Sequence, residues 1–501
     1  MRSVRDQDRA PLVEALVRHM RSGYARFHVP GHKGSADAAR ELSELAGGRV
    51  LLADLTEVAD LDDLQWPCGA IAEAEVLAAE AFGAEETLFL VNGVTAGIHA
   101  SLLGCAAGGK VAVPRNVHRS VLGGLVLAGA DPVYMTPEID SATGIAGSVS
   151  PGELGKTLDG EPGISTVLLV HPTYHGIAGD LRRLVEVSHA HGAAVIVDEA
   201  HGSHFGFHDG FPPSAMSCGA DISIAGCHKT FGALTQAAIL NLQGSFVDRE
   251  KVRACARAVQ TTSPSYLLMA SLDSARRLMA TRGRSLLENA LRLGAWLRQR
   301  VNETGVFRSP GPEWTGKPGF FELDPTKVTV LCRPPMDGRA IERQLRSDFG
   351  LVVELAHRGH MLAVVTYADE GDTVGKLAGA LRAIAAAATP VRSRASGDVE
   401  GRGGVYGAFG RIPRKEMSLR EAFLSVSRWV GLSEARGCVS ADVVAAYPPG
   451  IPVLCPGELI DDEAVELIRE CRSAGNHFHG LREDREDVLV RVVLRDGRDP
   501  K

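Results

Sequence analysis

Ala193–Gly202 reads AAVIVDEAHG: five small or apolar residues, then an acid, Asp198. The run does not alternate, so both faces are apolar, as in a strand covered on both sides. Comparable runs lie at Thr87–Val91, Lys110–Pro114, Asp131–Met135, Thr166–Val170, Ile222–Ala225 and Ala237–Asn241. Helical patterns separate most of them, at Thr95–Ala107, Val117–Ala128 and Leu181–His191. Strands alternating with helices of that length predict an α/β fold, a mostly parallel sheet with helices on both faces. Ligands of such sheets sit at the carboxyl ends of the strands. Asp198 stands at one of those ends, where a helix cap is the competing reading.

Outward from this block, residues 1–75 read as an N-terminal arm and 76–275 as the large domain. A smaller α/β domain is expected over 276–390, a Gly/Ser/Arg-rich linker over 391–415, and an α+β C-terminal domain over 416–501. The 501 residues suit roughly two to four domains. Apolar residues are 45% and charged residues 23%, a globular balance that excludes a fibrous or largely disordered chain. A net charge of −7 argues against a nucleic-acid partner. No apolar run is long enough to span a membrane. The charged N-terminus is not a secretory signal. Nine scattered cysteines without a CxxC pair indicate neither a disulfide framework nor a zinc ribbon, so no metal is expected and the cytoplasm is the expected compartment.

Two strings mislead. Asp198–His201 spells DEAH, familiar from nucleic-acid-dependent ATPases, and Gly104–Lys110 nearly fits a P-loop. Val111 stands where a P-loop needs Ser or Thr, and the glycines lead into a strand rather than out of one. The informative pair is Asp198 at one strand end and Lys229, 31 residues on, just past another. A Lys there can form a Schiff base, and an Asp can pair with a pyridinium nitrogen, so the two suit pyridoxal phosphate. Gly93, Val94 and Thr95 open a helix after the strand TLFLV, where free backbone N–H groups and a hydroxyl can cup a phosphate. His118, in PRNVHRS, opens another helix after a strand end, and an imidazole there can stack on a pyridine ring. Each feature alone has a bland reading: a solvated Lys, a capping Asp, an ordinary strand–turn–helix.

Together they resemble the Orn/Lys/Arg decarboxylase family of fold-type-I pyridoxal-phosphate enzymes. The resemblance runs through FHVPGHKGS (Phe27–Ser35), DLTEVADLDDLQWPCGAI (Asp54–Ile71), FLVNGVTAG (Phe89–Gly97), PRNVHRS (Pro114–Ser120), VHPTYHG (Val170–Gly176) and DEAHGSHF (Asp198–Phe205). It continues with CHKT (Cys227–Thr230) plus ALTQ (Ala233–Gln236), TTSPSYLLMASLD (Thr261–Asp273) and, near the C-terminus, YPPGIPVLCPGE (Tyr447–Glu458). The chain is similar to the shorter members that lack an N-terminal wing domain. The resemblance implies that Lys229 carries the cofactor and that His228 lies against cofactor or substrate. It implies that Asp198 pairs with the pyridinium, Ala200 underlies the ring, His201 faces the phenolic oxygen side and His118 stacks on the exposed face. Gly93, Val94 and Thr95 would hold the phosphate. Thr261 and Thr262 would reach the partner subunit's phosphate, which implies an obligate homodimer. Two departures stand out: Val94 and Gly226 occupy positions where the family usually has hydroxyl residues, and Ala225 replaces a common Gln.

The implied reaction is decarboxylation of arginine, lysine or ornithine to the amine, feeding polyamine metabolism. A cationic side chain needs acidic partners, and Glu57, Asp60, Asp62 and Asp63 are the candidates, with a solvated acidic loop as the competing reading. The alternative is a divergent pyridoxal-phosphate aminotransferase, oxidase/deaminase or lyase acting on a basic amino acid.

Overall fold

The structure, a computed structural model, describes residues 6–333, 336–387, 411–447, 450–473, 475–484 and 488–494. These residues form two compact units. The first holds the chain through Cys105 together with Ala194–Asp209 and Pro213–Leu286; the second holds Ala106–Ala193, Gly210–Pro212 and the chain from Leu287.

In the first unit four strands lie in the order Glu86–Leu90, Ala238–Leu242, Ile222–Ala225, Ala194–Glu199. The last two pair in parallel, whereas Ala238–Leu242 runs antiparallel to both of its neighbours. Ala194–Glu199 is buried at every residue, as its unbroken apolar run requires. In the second unit Ile164–Val170, Lys110–Pro114 and Asp131–Met135 pair in parallel, in that order. Helices between strands start on side-chain caps. Asp180 and Asp248 accept from the N–H groups of Arg183 and Lys251, satisfying orphan donors of the first turn.

All seven strands and the three helices expected from hydrophobic periodicity are present, with ends displaced by at most two residues. The boundary expected at 275/276 falls inside a helix, Tyr266–Glu303, which runs 38 residues. Its sequence contains no proline to stop it. Residues 391–410 of the expected linker lie outside the described residues.

Beyond this helix the second unit carries an antiparallel sheet, Lys327–Leu331, His360–Val364 and Leu355–His357. Two further three-stranded sheets follow. Ser427–Gly431, Val488–Val493 and Leu481–Glu483 form one, and Ile451–Leu454, Val444–Tyr447 and His477–His479 form the other. Ala464, Val465 and Ile468 of the helix Asp462–Ser473 join Val444, Leu454 and Val490 in one core cluster. That is the α+β make-up expected of the C-terminal segment. Among the described residues no helix is long and apolar enough to cross a membrane.

Candidate active site

The site grows from two adjacent parallel strand ends. Asp198 is the fifth residue of Ala194–Glu199 and lies opposite Ile224 in the ladder. It is 5% exposed, and its Oδ1 accepts the N–H of Ala200 at 3.1 Å. Past Ile222–Ala225 the chain makes one helical turn, Cys227–Thr230, which presents Lys229 outward. The Lys229 Nζ lies 2.8 Å from His201 Nε2, so the lysine nitrogen and the imidazole that follows Asp198 by three residues share a hydrogen bond.

The turn is held from behind. Thr230 is buried, and its hydroxyl bonds Ser203 Oγ at 3.1 Å and His204 Nδ1 at 2.9 Å. Ser203 Oγ also reaches the Gly226 carbonyl at 3.4 Å. The loop after Asp198 therefore fixes both the lysine's hydrogen-bond partner and the lysine's own turn. Sequence reasoning missed Ser203, His204 and Thr230; they stand inside DEAHGSHF and CHKT and were passed over because hydroxyls and a second histidine do not announce a role.

His228 is half-buried, with Nδ1 3.3 Å from the Ala237 carbonyl. Burial, reinforced by the charge of Lys229, holds its pKa below the ordinary value, so the imidazole is neutral at pH 7. Glu199 points away from Asp198 along the same strand. It is buried between Ser223 Oγ (2.5 Å) and the Ala215 N–H (2.8 Å), and burial pushes its pKa up to about 7.

The expected phosphate cup is the start of the helix Gly93–Ala106. Gly93 has φ +75°, a left-handed conformation that Gly adopts without strain. A Cβ there would lie 3.7 Å from the carbonyl oxygen of Gln236, itself left-handed at φ +83°. Thr95 is exposed. The two departures from the family pattern touch one another: a Cβ on Gly226 would lie 3.3 Å from Val94 Cγ2 and only 2.6 Å from the Ala200 carbonyl oxygen. Gly226 has φ −85°, so space rather than backbone conformation excludes a side chain there. A Ser at 226 would therefore meet the Ala200 carbonyl before it could serve a phosphate.

Thr261 stands beside the cup of its own chain, its N–H donating to Asn92 Oδ1 at 3.1 Å. Its carbonyl accepts from Gln65 Nε2 at 3.2 Å, which ties the acidic arm to the same place. Thr262 is exposed next to it. The four arm acids differ. Asp62 is corrected to a structural role: it is buried and its carboxylate takes the N–H groups of Asp63, Cys68, Gly69, Ile71 and Ala72, capping the helix Ala70–Phe82. Those bonds hold its pKa down against the opposing effect of burial. Asp60 pairs with His19 at 2.8 Å. Glu57 accepts the Leu64 N–H at 3.0 Å, and burial together with its neighbour Asp63 raises its pKa. Asp63 Oδ1 accepts the Gln65 N–H at 2.6 Å, so it and Glu57 each hold one backbone amide where Asp62 holds five.

His118 belongs to the other unit. It caps the helix Arg119–Ala128, its Nδ1 lying 2.8 Å from Ser120 Oγ and 3.3 Å from the Ser120 nitrogen. In the same unit His175, of VHPTYHG, meets His360 Nε2 to Nε2 at 2.9 Å. A cavity of about 930 Å³ lined by Trp66, Glu75, Arg253 and Gln260 touches none of Asp198, His201 or Lys229. The described residues contain no metal-ligating cluster.

The donor set suits a phosphorylated aldehyde cofactor. A primary amine lies at the surface beside an imidazole, a buried carboxylate ends the neighbouring strand, and helix-start amides follow a left-handed glycine. Gly226 is held glycine by the nearby Ala200 carbonyl, and Gly93 by its left-handed backbone.

The family described as "Orn/Lys/Arg decarboxylase, major domain" matches residues 10–329, and "Orn/Lys/Arg decarboxylase, C-terminal domain" matches 406–495. The chain is 37% identical over 489 residues to arginine decarboxylase of Bacillus anthracis, covering 97% of this chain and 98% of that one. Among solved structures, lysine decarboxylase A from Pseudomonas aeruginosa superposes with a TM-score of 0.83 at 21% identity, covering 97% of this chain and 80% of that one. Structures of SPT with PLP share the fold over 69% of this chain and 82% of theirs, with a TM-score of 0.52 at 18% identity.

Proposed function

The chain belongs to the Orn/Lys/Arg decarboxylase family, and we propose that it decarboxylates a basic amino acid, arginine first among them, with pyridoxal phosphate held at Lys229. The observation that carries this reading is the 2.8 Å contact of Lys229 Nζ with His201, set at the strand end that also bears Asp198. Relatives named arginine decarboxylase, at 36–38% identity over at least 90% of the chain, favour arginine over lysine.

When bound, the cofactor supplies an electron sink for the bond being broken at Cα. The chain's residues do the rest. Lys229 supplies the amine that holds the cofactor. Its neighbour His201 orients that amine through the hydrogen bond at 2.8 Å. Asp198, buried and anchored by Ala200 N–H, holds a proton on the ring nitrogen; a carboxylate in that setting favours an adjacent cation strongly. The amides at Gly93–Thr95, the Thr95 hydroxyl and the Thr261–Thr262 stretch bind the phosphate. Ala200, next to the anchored Asp198, would lie beneath the ring. Neutral His228, its one N–H engaged by the Ala237 carbonyl, presents an acceptor nitrogen, and Lys229 would be the group that returns a proton to Cα. Glu57 and Asp63 receive the cationic side chain. The working unit is a cytoplasmic homodimer with shared sites, and the amine feeds polyamine synthesis.

The test is incubation of the cofactor-loaded protein with arginine, lysine and ornithine, reading CO₂ and products by mass spectrometry. The amine of arginine with stoichiometric CO₂ is expected. A keto acid or aldehyde without CO₂ would replace this reading with transamination or oxidation.

A further inference from the structure

The strand Glu86–Leu90 stands at one end of its sheet, and its outer edge faces no other strand among the described residues. The outward N–H and C=O groups of such an edge need partners. Here side chains supply them. Glu75, from the helix Ala70–Phe82, accepts the Phe89 N–H on Oε1 at 2.9 Å. Gln260 takes the next two groups: its Nε2 donates to the Phe89 carbonyl at 3.3 Å, and its Oε1 accepts the Val91 N–H at 2.8 Å. One carboxamide thus stands in for a rung of a neighbouring strand.

Gln260 reaches this edge because of where its helix stops. The helix Arg249–Val259 is pinned to the start of the strand by Arg253, whose Nε and Nη2 meet the two carboxylate oxygens of Glu86 at 2.8 and 2.6 Å. At Gln260 the backbone turns extended, with φ −93° and ψ 155°. The next residue, Thr261, donates its N–H to Asn92 Oδ1 at 3.1 Å. Two consecutive residues therefore bond Phe89, Val91 and Asn92, and the residue after Asn92 is Gly93, where the helix-start amides begin. Satisfying an edge accounts for Glu75. Gln260 and Thr261 do more, because they fix the register between two segments that the functional reading places on one phosphate. All of these residues belong to the first unit.

We propose that Gln260, assisted by Asn92, is a positioning residue for the cofactor phosphate: it locks the Thr261–Thr262 stretch to the strand end that opens Gly93–Thr95. Neither side chain has to touch the phosphate. Hydrogen bonds weaken steeply when donors are misdirected, so a cup that has lost its register holds the dianion less well. The proposal rests on the functional reading above, which supplies the phosphate.

The experiment titrates the cofactor-free protein with pyridoxal phosphate and with pyridoxal, the same aldehyde without the phosphate. Parent, Gln260→Met and Asn92→Ala are compared, with Arg257→Met as control. Methionine keeps the length of Gln260 and removes both of its bonds. Arg257 lies on the same helix, 4.4 Å from the Trp66 ring centroid. Gln260→Met should weaken pyridoxal phosphate by about 10-fold, the equivalent of one charge-assisted hydrogen bond, and pyridoxal by less than about 2-fold. Asn92→Ala should show the same selectivity to a smaller degree, and Arg257→Met should change neither ligand. The phosphorus NMR line of the bound cofactor should shift in the first two variants. Equal weakening of both ligands marks a scaffold role and overturns the proposal, as does parent-like binding of both. Asn92 is partly exposed, so its variant decides the matter if Gln260→Met does not fold. Failure of the functional reading shows separately, as a parent that binds pyridoxal phosphate no more tightly than pyridoxal.

Discussion

The turn that bears Lys229 and the turn that bears His118 are built by opposite means. Thr230, behind Lys229, is held by neutral hydrogen bonds to Ser203 and His204, 27 and 26 residues away. Arg115, ahead of His118, is held by an ion pair to Glu458, 343 residues away. The first is a short-range arrangement of two consecutive strand ends, cheap to form and assembled wherever the sheet forms. The second needs the chain's far end in place. The proposed cofactor lysine thus sits on a locally built turn, whereas the turn at His118 is tied to the far end of the chain.

Removing the lysine breaks the comparison most completely. Lys229→Ala should abolish turnover and covalent attachment of the cofactor. Apo-protein stability should change by no more than about 0.5 kcal/mol, because the side chain is exposed. Borohydride reduction followed by peptide mass spectrometry reads the attachment, and a cofactor found on another lysine would refute the assignment. Next in size, Glu458→Ala should destabilise the second unit by about 3–5 kcal/mol, the usual result of stranding one member of a buried pair. A denaturant titration reads it, and a loss below about 1 kcal/mol would mean that water reaches Arg115.

Acid separates the two turns by another route. Burial holds His175 at about 3 and His357 at about 4, and it holds His360 well below the ordinary value. Unfolding lets each take a proton near pH 6.5 that the folded form refuses. Their contribution is therefore complete above pH 6.5 and is lost as the pH falls toward 3–4, at about 1.4 kcal/mol per pH unit for each group. Stability measured from pH 7 to 4 should fall along that limb, and His175→Gln should flatten it. An unchanged slope in that variant would show that other groups carry the limb.

Thr230→Val is smaller: two buried polar partners lose a bond, at about 1–3 kcal/mol, with a lower kcat. A parent-like kcat would show that the lysine's turn keeps its place without that bond. Val94→Ser is smallest, tightening the cofactor by about 1 kcal/mol per recovered hydrogen bond. Equilibrium dialysis against the parent reads it, and weaker binding would mean that the phosphate is already satisfied by amides and Thr95.

What was legible in the sequence follows the same division. Unbroken apolar runs gave away the strands, and the strand ends then located Asp198 and Lys229, because period and position are local quantities. Asp62 was misread because an acid among acids resembles a cation site until its five amide donors are seen. The Arg115–Glu458 pair was invisible for a simpler reason: nothing in PRNVHRS or CPGE says that a fold closes 343 residues into one contact. The boundary expected at 275/276 falls inside one helix, and a helix without proline gives no local sign of where one body ends.

The main chain around Gly226 decides where this site can change. A serine at 226 meets the Ala200 carbonyl at 2.6 Å and the Val94 methyl at 3.3 Å. A serine at 94 removes only the second obstacle, and it gains a donor at once. In a library that randomises both codons and selects for cofactor retention, serine should surface at 94 and stay absent from 226 on every background at 94. The two positions are unequal doors: the one at 94 is open, and the one at 226 is shut by backbone that no neighbouring codon moves.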